Sequence, residues 1–100
     1  MAVTSKALFR GAASTSNTTL YTVPSATTAI ITNIVVTNTA TSAATFTLKL
    51  DAVDLATAAA IAASSIATFD LKQVLSAADL LEGSASATTV NFHISGVEVA

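Results

Sequence analysis

Residues 28–38 constrain this chain more than any other stretch. They read Thr-Ala-Ile-Ile-Thr-Asn-Ile-Val-Val-Thr-Asn, and β-branched side chains dominate them. Such side chains are stiff at χ1 and fit a pleated sheet better than a helix. Strict alternation puts Ile30, Ile34 and Val36 on one face with Thr32. It puts Ile31 and Val35 on the other with Asn33. Apolar side chains on both faces predict a central strand covered on both sides.

The rest of the chain repeats the period of two more weakly. Thr39–Ala43 reads as a turn. Beyond it Phe46, Leu48 and Leu50 alternate with Thr45, Thr47 and Lys49, which predicts a half-buried strand in an antiparallel hairpin with residues 28–38. Upstream, strands are expected over 7–12 and 18–23. The polar loop Ala13–Asn17 separates them, and Pro24 closes the second because it cannot donate to a ladder. Residues 51–54 turn the chain. The alanines of 55–63 favour helix by propensity, but the segment is short and has no amphipathic stripe, so a weak strand is preferred. Strands follow over 66–71 and 80–87, joined by a connection over 72–79 with room for one helical turn. Finally Val90, Phe92 and Ile94 alternate with Asn91, His93 and Ser95, and Gly96 breaks the parity, as a β-bulge would. About seven to eight short strands, with turn signals at roughly 8–12-residue spacing, predict an all-β fold: a single antiparallel β-sandwich of jelly-roll or Greek-key type.

One hundred residues make one domain, expected over 7–100 behind an N-terminal arm at 1–6. Apolar residues form 52% of the chain, but 22 of them are alanines. Val, Ile, Leu and Phe fill only 28 positions, enough for one sandwich core. The large share of Ala, Ser and Thr resembles low complexity, yet 17 Thr, 9 Val and 6 Ile recurring with period two argue against disorder. A core this modest leaves an isolated monomer marginally stable, which favours oligomerisation or docking.

Charge is scarce: 10% of residues, net −2. Lys6, Arg10, Lys49 and Lys72 are scattered, so there is no basic footprint for nucleic acid. No apolar run approaches the length that spans a membrane, and the first residues carry no secretory pattern. So neutral a surface suits a protein whose faces meet other proteins.

Catalytic signatures are missing from the sequence. Cysteine is absent, and the three glycines (Gly11, Gly83 and Gly96) are isolated and build neither a phosphate loop nor a nucleophile elbow. His93 is the only histidine and reads as an exposed or interface residue. Asp51 and Asp54 have too few companions for calcium and read as a solvated turn. Asp79 and Glu82 lack the aromatic platforms a glycosidase would place around them. Asn17-Thr18-Thr19 matches a glycosylation acceptor, a match that chance explains in so threonine-rich a chain. The reading is a non-enzyme without cofactor or metal. Phe9 and Tyr21 are expected to be exposed, because Leu8 and Leu20 compete with them for the core; exposed aromatics are good interface anchors. With Val3 on the arm and with Asn91 and His93 on an outward strand face, they form the candidate interface set.

Several segments, taken in order, resemble a known group. They are Leu20-Tyr21-Thr22-Val23-Pro24, the whole of 28–38, Ala44-Thr45-Phe46-Thr47-Leu48, Phe69-Asp70-Leu71, Val74-Leu75-Ser76-Ala77-Ala78-Asp79, and Val90 to Glu98. The order is similar to that of small β-sandwich virion proteins of tailed bacteriophages, over roughly residues 18–99. In that group glycine is common just after the proline and just before the aspartate, where this chain has Ala26 and Ala78. The resemblance implies a non-catalytic virion component on the capsid surface, assembled in the host cytoplasm. Such a decoration or cement protein forms oligomers, often trimers, and bridges subunits of the major capsid protein. The alternative it leaves is a tail, adaptor or fibre component that binds a neighbouring virion protein or a host surface glycan.

Overall fold

A computed structural model describes residues 2–100. Eight strands follow in chain order: β1 (Val3–Ala12), β2 (Thr18–Thr22), β3 (Thr28–Asn38), β4 (Ala44–Leu50), β5 (Val53–Ile61), β6 (Ser65–Leu75), β7 (Leu80–Ala85) and β8 (Val90–Val99). They form two four-stranded sheets, ordered β1-β8-β3-β6 and β2-β7-β4-β5, with every pairing antiparallel. The pairs β1/β8, β2/β7, β3/β6 and β4/β5 nest inside one another, which is the jelly-roll winding. The expected all-β sandwich is the fold.

The core lies between the sheets. Ile31, Ile34 and Val36 of β3 and Phe92 and Ile94 of β8 meet Phe46 and Leu48 of β4 and Leu81 of β7, all essentially without exposed surface. Phe46 is the hinge of the aromatic packing. Its ring stands edge-on to Phe92 and tilted against Phe69, with both centroid separations 6.2 Å.

The structure corrects several details of the sequence reading. β3 does not keep one alternation. Ile31 pairs with Gly96 and Asn33 with Ser95, so Thr32 is an extra, bulged residue. Parity flips there: Ile31 joins Ile34 and Val36 in the core, and Ile30 turns outward. Among the described residues no further layer covers the outward face of β3. Gly96 is not itself the bulge. The extra residues lie on the two flanking strands: Leu8 on β1, between the partners of Ser95 and Ile94, and Thr32 on β3, between the partners of Gly96 and Ser95. Gly96 lets them close in, because a Cβ there would collide with the Ile30 carbonyl and reach within 3.0 Å of Leu8 Cδ1.

β3 and β4 are not a hairpin. Residues 39–43 carry the chain from one sheet to the other, and β4 pairs with β5 and β7. Buried Asn38 organises that crossing. Its Nδ2 donates to the carbonyls of Ser42 (2.9 Å) and Ala62 (3.3 Å), and its Oδ1 accepts from the Ala40 N–H (3.1 Å) and the Thr89 hydroxyl (3.2 Å). The arm expected over 1–6 is largely strand, since β1 begins at Val3 opposite Val99. The connection after residue 71 is shorter than expected. β6 runs to Leu75, and a four-residue turn held by the Asp79 carboxylate on the Ser76 N–H (2.8 Å) leads into β7.

Candidate interaction surface

Two broad faces and two narrow sides make up the surface of the sandwich, and they differ chemically. The outer face of β2-β7-β4-β5 carries Thr19, Thr45, Thr47, Lys49, Glu82 and Ser84, a polar set. Lys49 lies 3.9 Å from Asp54, and Asn17 Nδ2 donates to Glu82 at 3.1 Å. The outer face of β1-β8-β3-β6 is more apolar. One cross-strand row there reads Ser5, Val97, Ile30 and Val74, and another reads Arg10, His93, Val35 and Thr68.

Three of the five candidate interface residues bear on that second face. His93 and Asn91 point outward from β8 and are half-buried by their neighbours. Arg10 Nε donates to His93 Nδ1 at 3.2 Å, which makes that nitrogen an acceptor, and Asn91 Nδ2 donates to the Thr89 carbonyl at 3.4 Å. Val3 lies exposed at the far end of β1. Phe9 and Tyr21 are placed otherwise than expected. Both are partly buried and packed against the core, because bulges at Leu8 and Leu20 let two successive residues serve the same face. The Phe9 ring lies over Gly11, 3.4 Å from where a Cβ would sit.

Tyr21 closes one narrow side. It reaches from β2 across the gap between the sheets, and its hydroxyl donates to Glu98 of β8, which also receives Lys6 Nζ at 3.3 Å. Burial, and then the Glu98 carboxylate, push the phenol well above its ordinary pKa. The Tyr21 hydrogen bond, followed by Lys6, holds Glu98 below the usual carboxylate range. The β1–β2 side is thereby sealed by a buried-end ring and a small charge network.

The opposite side, along β5 and β6, is open. Six large apolar side chains are exposed among the described residues, and five of them (Val53, Leu55, Ile66, Phe69 and Val74) lie on these two strands, 41% to 71% exposed. Between the strands a cavity of about 150 Å³ reaches the core, lined only by apolar residues that include Leu55, Phe69, Leu71 and Phe46. Apart from Val3, the sequence reading missed this set. Its signal is non-local: only the strand order shows that β5 and β6 are both edges and stand on the same side.

The sites weighed for chemistry do not converge. Asp79 is engaged in its turn, and Glu82 faces out from the polar sheet. Among the described residues no three His, Asp or Glu side chains gather closely enough to hold a metal ion. What the arrangement offers is apolar contact along one side and one face, with few charges to desolvate. Compared with known proteins, the chain matches no family model, no curated protein and no solved structure.

Proposed function

We propose that this chain is a non-enzymatic structural protein of a tailed-bacteriophage virion, a capsid decoration or cement protein. In this reading it self-associates and stabilises the assembled head by bridging capsid subunits. The observation that carries the binding role is the open β5–β6 side, where exposed apolar side chains concentrate. The phage assignment rests on the order of motifs from Leu20 to Glu98. The jelly roll supports it by analogy only, since viral capsid domains, lectins and cupins share that architecture.

The mechanism is mechanical. A domain that binds only the assembled shell lowers the free energy of the shell and not that of free subunits, so mass action favours the closed particle. Few charges and many small side chains keep the desolvation cost of such docking low. The test is to strip the protein from particles by mild heat, add the purified chain back and measure shell disruption temperature. A higher temperature on re-addition is expected; an unchanged one would remove the cement role. The same apolar side also fits a tail, adaptor or fibre component, which differs in having few copies per particle.

A further inference from the structure

We infer that the β6 edge is a self-pairing surface: two copies join their β6 strands antiparallel, centred on Leu71, into one continuous eight-stranded sheet. This deepens the self-association in the reading above but does not depend on a shell. β6 ends its sheet, so the backbone groups along its outer edge have no strand neighbour in the chain. Long, flat, apolar edges pair with other chains unless they are guarded.

The other three edges are guarded. β2 is five residues long. β1 is bulged at Leu8 and carries Lys6 and Arg10. β5 has register breaks at Leu55 and at Thr57–Ala58, with Ala58 at φ 46°. β6 has eleven residues; it has one register break, where Leu71 and Lys72 both face Thr32 of β3, but its inward positions (Ser65, Ala67, Phe69, Leu71, Gln73 and Leu75) keep one alternation across it. Its outward row is Ile66, Thr68, Asp70, Lys72 and Val74, all exposed.

Charge fixes the register. Asp70 and Lys72 are the only charges on β6, they share a face, and they flank Leu71. Antiparallel pairing centred on Leu71 puts Asp70 of each copy opposite Lys72 of the other, twice. It also stacks Leu71 on its own symmetry mate and sets each Phe69 opposite Gln73 of the other copy. Pairing centred on Asp70 would oppose like charges. Lys72 has no carboxylate within ion-pair distance among the described residues. Asp70 accepts only a neutral hydrogen bond, from Asn33 Nδ2 at 3.1 Å. An eleven-residue strand is about 36 Å long. With the molecule's shorter extents of 21 and 18 Å, this side offers roughly 650 Å² per copy, within reach of a specific association.

Sedimentation equilibrium on Asp70→Lys and Lys72→Asp tests this, with circular dichroism to show that each variant is folded. The parent chain is expected at twice 10.0 kDa, loosening as salt rises. Each variant converts both contacts to repulsions and is expected to dissociate about tenfold more readily. An equimolar mixture of the two variants restores complementary pairs, so a mixed dimer of near-parental affinity is expected. A parent that stays at one chain, a parent at three chains, variants that associate like the parent, or a mixture that stays monomeric would each overturn the pairing. The shell-disruption experiment is separate, so failure here leaves its result standing.

Discussion

Asn38 is the polar side chain on which the crossing between sheets depends. Its amide, itself buried, meets two carbonyls, one N–H and one hydroxyl. Asn38→Ala removes all four bonds at once and leaves a gap at the corner, so a loss of about 2–4 kcal/mol is expected in urea unfolding. Alanines at left-handed backbone positions have the opposite consequence. Asp51 and Ala52, both at positive φ, form the two-residue turn between β4 and β5, and Ala26 and Ala78 adopt φ of 54° and 69° at the turns that follow Pro24 and precede Asp79. A Cβ is strained there. Ala52→Gly and Ala78→Gly are each expected to raise stability by about 0.5–1 kcal/mol, read as a higher midpoint. Tyr21 ties the fold to pH. A phenol whose folded pKa is raised contributes fully below its unfolded value near 10 and loses that contribution as pH rises beyond it. Glu98, held low, contributes above the ordinary glutamate range and loses it as pH falls through its depressed value. Melting temperature should therefore decline above about pH 10 in the parent and decline less steeply in Tyr21→Phe.

Most of the strands were legible in the sequence through a period of two with β-branched residues; β7 has no β-branched residue, and in β5 the period is broken at Leu55 and at Thr57–Ala58. What stayed illegible was where that period slips. Thr32 is β-branched like its neighbours and carries no mark of a bulge, so strict alternation set Ile30, in place of Ile31, on one face with Ile34 and Val36. Gly96 did signal an irregularity, but through what it lets approach. Its missing Cβ admits the Ile30 carbonyl and Leu8. Gly96→Ala must push backbone, not a flexible side-chain tip, so a loss of roughly 2–3 kcal/mol is expected in the same unfolding assay. Sheet membership was also hidden. Residues 39–43 look like a hairpin turn locally, and only the Asn38 network, which draws on Ala62 and Thr89 far along the chain, shows the crossing.

At the scale of the whole molecule, the two narrow sides differ most. Tyr21, Glu98 and Lys6 close one, while Leu55, Phe69 and their neighbours leave the other apolar and open. Outward His93 and Asn91 could be read from alternation along one strand, but the open side could not, because it exists only once eight strands are ordered in space. A neutral, small-residue surface with one apolar flank fits a part made in many copies and packed against other protein. Quantitative mass spectrometry of purified particles, counting this chain against the major capsid protein, tests that most directly. The account predicts hundreds of copies per particle, in fixed ratio to the shell; a handful of copies, or none, would contradict it.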